Sequence, residues 1–165
     1  MGDAIVTRDL NRWDIPALRG LLERTDAFHN VEVDVAVELM EEYLDEGLKS
    51  GYRFLVADDG AAAAGYACYG PTPMTHGTWD LYWIAVEPSF QRRGVGQILL
   101  NACEAHVHSE GGRLIVLETS SRAPYEQARN FYAKNGYALL VTVRDFYAPG
   151  DHKLMYAKYL NPEVS

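Results

Sequence analysis

The sequence predicts an α+β fold: a mixed, twisted central sheet of about six to seven strands with helices on both faces. Two local signals carry this. A strand, helix, strand run from Leu81 to Leu117 implies a right-handed crossover and a parallel pair. Asp58-Asp59-Gly60 between two apolar runs is a hairpin signal and implies an antiparallel pair. Read along the chain, the alternation of strand-like and helix-like periods gives the order β-α-α-β-β-β-α-β-α-β-β.

The elements follow in turn. "AIVTRDL" reads as a strand, and Asp14 is placed to cap a helix over "IPALRGLLERT", with Pro16 in its first turn and Ile15, Leu18, Leu21 and Leu22 as its apolar stripe. "DAFHNVEVD" reads as a loop, with Asp34 capping a second helix whose Val35, Leu39, Tyr43, Leu44 and Leu48 recur at helical spacing. "YRFLVAD" and "AAAAGYACYG" flank the hairpin. Alanine is a weak strand former, so the second rests on the turn and on "GYACYG". "TWDLYWIAV" is an aromatic, branched strand, and Tyr82 and Trp83 alternate across it, one facing the core and the other the cleft. The helix "VGQILLNACEAHVHSEG" follows, with Val95, Ile98, Leu99, Cys103 and Val107 on one face. "RLIVLETS" is a short buried strand. "PYEQARNFYAKNG" is a helix with Pro124 near its start and Gly136 past its end. "YALLVTV" and "KLMYAKYL" are the last strands, joined by "DFYAPGDHK", a segment able to close over a cleft or to mediate a dimer.

At 165 residues the chain fits one domain with a proper core, and 48 % hydrophobic with 23 % charged residues argues against disorder. The net charge of -8 disfavours DNA, RNA and anionic membranes as partners, so an anionic ligand would need local cations. Cys68 and Cys103 lie in apolar patterns and read as buried thiols. The histidines lack metal-ligand spacing, so no metal is expected, and the His106-x-His108 pair reads as exposed helix surface. No run has the length of a membrane span, and the N-terminus lacks the features of a signal peptide or, with Val6 where a hydroxyl is needed, of a myristoylation site. A soluble cytoplasmic protein, monomer or homodimer, is the expectation.

The most informative stretch is "DLYWIAVEPSFQRRGVGQILL", in which two arginines and two glycines stand where a helix begins. A helix N-terminus leaves N–H groups unpaired and carries partial positive charge, so anions bind there. The amides of Arg92, Arg93, Gly94, Val95, Gly96 and Gln97 could ring a pyrophosphate, with the two arginines supplying diffuse attraction. A tight turn flanked by solvated arginines is the structural alternative. The stretch is neither a nucleotide P-loop nor a dinucleotide fingerprint, because the lysine-hydroxyl pair and the third glycine are missing.

This stretch resembles the central motif of the GNAT superfamily of N-acetyltransferases, Q/R-x-x-G-x-G/A opening a helix, with Gln91, Gly94 and Gly96 in its defined positions. Downstream, "ARNFYAKNGY" resembles the family pattern A-x-x-F/L-Y-x-x-x-G-F/Y through Ala128, Phe131, Tyr132, Gly136 and Tyr137. The resemblance runs from about Tyr52 onward, and the element order extends it to the N-terminus. It implies acetyl-coenzyme A as co-substrate, with its pyrophosphate on the loop amides and its pantetheine arm along Ile84, Ala85 and Val86. It implies too that the parallel strands splay and hold the thioester between them. Where the family often has an asparagine, this chain has Tyr125, which could stack on or bond to the cofactor, or simply pack.

The resemblance gives Tyr132 the role of general acid toward the departing thiolate; the helix pattern alone reads it as a core tyrosine beside Phe131. A backbone N–H near Ala85 or Val86 could polarise the carbonyl. Glu118, at the end of an otherwise apolar strand, reads as a partly desolvated carboxylate that serves as base or substrate anchor, or else pairs with Arg122 or a loop amide. Asp80, at the far end of its strand, ranks lower, Glu87 reads as solvated, and a water chain could replace a single base. The acceptor side is expected to involve Phe28, Tyr82, Trp83 and Glu118, with "TDAFHNVEVD" and the Pro71 to Thr78 segment along its wall. Asp26, Glu32 and Asp34 suit a cationic amine, and Phe28 and Phe146 an apolar one. The expected activity is acetyl transfer to a primary amine of a small molecule, amino acid or peptide by direct attack, the alternative being a non-catalytic acyl-CoA-binding or regulatory module.

Overall fold

The computed structural model describes residues 4–160; the N-terminal myristoylation position falls outside them. The elements are β1 (Val6–Asp9), α1 (Ile15–Arg24), α2 (Asn30–Glu46), β2 (Arg53–Asp58), β3 (Ala63–Pro71), β4 (Thr78–Val86), α3 (Val95–Ser109), β5 (Leu114–Ser120), α4 (Glu126–Lys134), β6 (Ala138–Ala148) and β7 (Asp151–Tyr159). This is the order read from the sequence. Among the described residues the strands form one seven-stranded sheet, β1-β2-β3-β4-β5-β7-β6. β4 and β5 pair in parallel, and every other neighbouring pair is antiparallel.

Period-two alternation gives the sheet two apolar faces. On β3, Tyr66 and Cys68 point into a core with Leu18, Leu21 and Leu22 of α1 and Val33, Ala36 and Met40 of α2. Ala67 and Tyr69 point to the other face, against Leu99, Leu100, Cys103 and Val107 of α3. Both cysteines are buried free thiols. The small residues that open β3 have a packing reason: a Cβ added at Gly65 would stand 2.7 Å from the Ala85 carbonyl oxygen and 3.2 Å from Val95. Close approach of α3 therefore selects residues that strand propensity disfavours.

Two features of β4 create the cleft. Its parallel pairing with β5 runs only through Thr78↔Leu114, Trp79↔Ile115 and Asp80↔Val116. β5 stays paired with β7 out to Ser120, so the two inner strands diverge beyond Asp80. The second feature is a bulge: Trp83 pairs with Cys68 and Leu81 with Tyr69, which leaves Tyr82 as the extra residue. A bulge re-aims side chains, and the strict alternation expected of Tyr82 and Trp83 is corrected, since both line the cleft.

The helix starts also differ from the sequence reading. Asp14 stands at the N-cap of α1 without a side-chain cap bond; its carboxylate instead takes two hydrogen bonds from Arg8 at 2.8 Å and one from the Asn11 N–H. α2 begins earlier than expected, after His29, whose N–H donates a hydrogen bond to the Glu32 carboxylate at 2.7 Å. Asp34 lies inside the helix and pairs with Arg19. In each case a reciprocal partner nearby outcompetes the simple cap. His106 is not plain surface: its Nδ1 is 2.7 Å from the Tyr69 hydroxyl, and its ring packs on Trp79. Glu87, expected as solvated, accepts two hydrogen bonds from Arg24.

The last two strands run further than "YALLVTV" and "KLMYAKYL" suggest. β6 continues to Ala148 and turns directly into β7, so this segment is a strand hairpin rather than a separate loop. Between Val143↔Lys153 and Ala148↔Asp151 the register slips, and Arg144 to Tyr147 bulge out, with Asp145 at φ 53° and its N–H bonded to His152 Nδ1. The bulge carries Tyr147 to the mouth of the cleft.

Candidate active site

Two adjoining cavities of about 430 Å³ each occupy the space where β4 and β5 part. They share Ala27, Phe28, Ile84, Ala128 and Tyr132, which mark their junction. The first runs from the junction along Ala85 and Val86 to Gln91, Arg92 and the start of α3. The second opens between Trp83, Glu118, Tyr125 and Tyr147.

The far end of the first cavity is built for an anion. The Ile98 N–H makes the first hydrogen bond of α3, to the Gly94 carbonyl at 3.0 Å, and no side chain caps the helix. The N–H groups of Val95, Gly96 and Gln97 are therefore left without intrahelical partners, at the positive end of a 15-residue helix. Arg92 at φ 63° and Gly94 at φ 81° curl the backbone into the turn. Nothing lies within 4 Å of where a Gly94 Cβ would stand, so the cradle is open. A pyrophosphate fits this donor set.

Of the residues expected at the cofactor, Ile84, Ala85, Val86, Gln91, Arg92, Gly94, Val95, Gly96, Gln97 and Tyr132 line this cavity. Arg93 does not line it; its guanidinium carbon lies 4.6 Å from the Phe90 ring centroid. Tyr125 faces the second cavity instead, beside the acceptor residues. The sequence reading missed Thr25, Phe90 and Gln127. Phe90 had a visible signal, an apolar residue immediately before the glycine turn; the others come from elements that only tertiary packing brings near.

Tyr132 is the pivot. It is 8 % exposed yet lines both cavities. Burial raises its pKa above the ordinary phenol value, with Cys103 adding to the rise, so it holds its proton across the physiological range. No hydrogen bond acts on its hydroxyl among the described residues.

Phe28, Tyr82, Trp83 and Glu118, the expected acceptor residues, all line the second cavity, joined by His29 from the α1–α2 connection and Glu32 from the first turn of α2. Trp83 is fixed by a 2.6 Å hydrogen bond from its Nε1 to the Tyr66 hydroxyl and by an edge contact with Phe28. Glu118 is not the desolvated carboxylate expected. It is exposed, and its partner is Lys153 at 2.8 Å rather than Arg122. Asp26, Asp34, Phe146 and the Pro71 to Thr78 segment do not reach this cavity, whereas Arg122, Tyr147 and Asp151 do. Asp80 is held by the Thr72 hydroxyl at the closed end of the strand pair. Among the described residues no cluster of side chains suits a metal ion, and no helix is long and apolar enough to cross a membrane.

The sequence model of the acetyltransferase (GNAT) family matches residues 18–137. A Desulfovibrio desulfuricans protein assigned to that family superposes with a TM-score of 0.93 and 41 % identity, over 96 % of this chain and 100 % of its own. More distant structures share the fold. The Escherichia coli ribosomal-protein-S18-alanine N-acetyltransferase has a TM-score of 0.75 at 20 % identity, covering 98 % of this chain and 99 % of its own. An aminoglycoside 6'-N-acetyltransferase, solved with coenzyme A, has a TM-score of 0.76 at 19 % identity, covering 97 % and 99 %. No curated protein matches the chain in sequence. The family model spans most of the chain and the 41 % identical relative nearly all of it, so this protein belongs to the GNAT family of acetyltransferases.

Proposed function

We propose that the protein transfers the acetyl group of acetyl-CoA to a primary amine of a small molecule, amino acid or peptide by direct attack. One observation carries the reading: Tyr132 stands at the junction of a cavity that ends in an anion cradle and a second cavity that opens to solvent. The pyrophosphate suits the α3 N-terminus, and the pantetheine arm suits the β4 edge that β5 has left unpaired. The thioester then lies at the junction.

The neutral amine nitrogen attacks the thioester carbonyl carbon. A β4 backbone N–H near Ala85 or Val86 would stabilise the oxygen as it becomes negative. The C–N bond forms, the C–S bond breaks, and the leaving sulfur takes the Tyr132 proton, which the tyrosine regains from water. The proton lost by the amine passes to water in the open second cavity or to a carboxylate there. A thiolate is less basic than a buried phenolate, so Tyr132 helps through a hydrogen bond that strengthens as charge builds on sulfur, rather than by full ionisation beforehand. A tyrosine lining both cavities supports an enzyme over a non-catalytic acyl-CoA-binding module.

The test is Gly94→Glu, with CoA affinity measured by calorimetry beside CoA release from acetyl-CoA with an amine panel. The added carboxylate enters the open cradle, so affinity should fall at least about 100-fold in a folded protein. Unchanged affinity would overturn the phosphate assignment. Wild-type protein that binds CoA but releases none with any amine would favour the module.

A further inference from the structure

The second cavity changes character from end to end. Its inner end, beside Tyr132, is walled by Leu81, Ile84, Leu117 and Ala128. Leu81 and Leu117 are 3 % and 4 % exposed. Its mouth carries the charges: Glu32 on the first turn of α2, Asp151 at the start of β7, and Arg122. Two rings stand among them. The Tyr125 pKa is raised by burial first and then by Glu32, with Arg122 opposing and Asp151 adding, so these three charges converge on its hydroxyl. Tyr147 is likewise raised by burial and then by Glu118, with Lys153 opposing and Asp151 and Tyr125 adding.

The charges at the mouth do not cancel. Glu118 is satisfied by Lys153. Among the described residues Glu32 accepts only from a backbone N–H and Asp151 only from the Ser120 hydroxyl, both neutral donors. Among the described residues Arg122 forms an ion pair with neither, and the two carboxylates outnumber this one cation in the lining of the mouth. Beside the cavity, behind Glu118, an ammonium already sits between a carboxylate and a ring: Lys153 Nζ lies 2.8 Å from Glu118 and 4.3 Å from the Phe146 ring centroid. The inner end has no cation, so an α-amino acid entering amine-first would leave its carboxylate unpaired there. The apolar inner end instead favours a neutral amine, the reactive form. Tyr132, 8 % exposed, lines this inner end as well as the first cavity.

Resting on the acetyl-transfer reading of this site, we propose that the acceptor is a linear diamine or polyamine. One primary amine enters beside Tyr132, and a second ammonium is held at the mouth by Glu32 and Asp151 against the rings of Tyr125 and Tyr147. Ammonium over an aromatic face and ammonium beside carboxylate are the two contacts that this mouth offers.

The test compares 1,4-diaminobutane, n-butylamine and L-2-aminobutyrate as acceptors, by CoA release in wild type, Asp151→Asn and Glu32→Gln. These probes share a four-carbon chain and differ in the second charge. The diamine should exceed butylamine in kcat/KM by at least about tenfold, the effect of one charge-assisted contact. That ratio should fall toward one in each variant, through a raised KM for the diamine. Thermal midpoints check folding; Glu32 also closes the α2 capping box, so Asp151→Asn is the independent arm. A wild-type ratio near one, a preference for aminobutyrate, or a ratio unchanged in both variants would overturn the inference alone. CoA release with none of the three but with another amine would likewise overturn the inference alone, and release with no amine of any kind would overturn the acetyl-transfer reading together with it.

Discussion

Glu118 and Lys153 lie diagonally across the β5–β7 pairing, carboxylate to ammonium at 2.8 Å. A carboxylate already bound to an ammonium must break that pair to take a proton from the acceptor, so Glu118 is better placed to shape the acceptor wall than to act as the base. Glu118→Gln should raise the acceptor KM several-fold, since an exposed charged contact contributes about 1 kcal/mol or less, and lower kcat by less than about tenfold. The low-pH limb of the rate profile should remain, because amine protonation controls it. Loss of that limb in the variant would restore Glu118 as the base.

Tyr132→Phe keeps the ring in its packing beside Phe131 and Tyr137 and removes the proton. Single-turnover acetyl transfer should slow by about 10²–10⁴-fold, the usual worth of a general acid, while CoA affinity changes little. Burial holds the phenol protonated, so no titration of Tyr132 should shape the wild-type profile up to about pH 10. An unaltered chemical rate would remove Tyr132 from the reaction.

Gly65→Ala tests how closely α3 sits on the sheet. The new methyl would meet the Ala85 carbonyl oxygen at 2.7 Å and Leu99 at 3.3 Å, so β3 or α3 must shift. A cost of about 1–3 kcal/mol is expected in urea unfolding. CoA affinity should weaken as well, because Ala85 and the α3 N-terminus both border the first cavity. A neutral substitution would mean that the helix has slack.

Asp14 links stability to pH. Burial alone would raise its pKa, but hydrogen bonds from Arg8 and the Asn11 N–H, with the charge of Arg8, outweigh burial and hold it below the ordinary carboxylate value. A depressed folded-state pKa contributes stability above the unfolded value of about 3.9 that is lost as pH falls through the folded value. Asp14→Asn should cost on the order of 2 kcal/mol at pH 7, since Arg8 keeps Asp58 as a partner and is itself partly exposed. The gap to wild type should narrow below about pH 4. A gap constant with pH would show that the ion pair contributes nothing.

Much of this architecture is legible in the chain itself. The order of elements follows from period and punctuation, because a strand such as Thr78–Val86 and a helix such as Val95–Ser109 bury faces with different spacing. The anion cradle is equally local: Gly94, Gly96 and the amides between them are contiguous, and a helix N-terminus binds anions wherever it stands. What the chain could not decide by local rules is everything set by register and approach. The Tyr82 bulge depends on how β4 meets β3, and it turned an expected alternation into two residues on one cleft. The partner of Glu118 depends on the β5–β7 register, which brings in Lys153 from 35 positions away in sequence (153 − 118). The mouth of the second cavity draws Glu32, Tyr125 and the hairpin residues Tyr147 and Asp151 from three separate segments. Propensity and period act over a few residues, whereas these relationships are fixed only when the sheet closes and the α1–α2 connection and the β6–β7 hairpin come to rest on the open end of the β4–β5 pair.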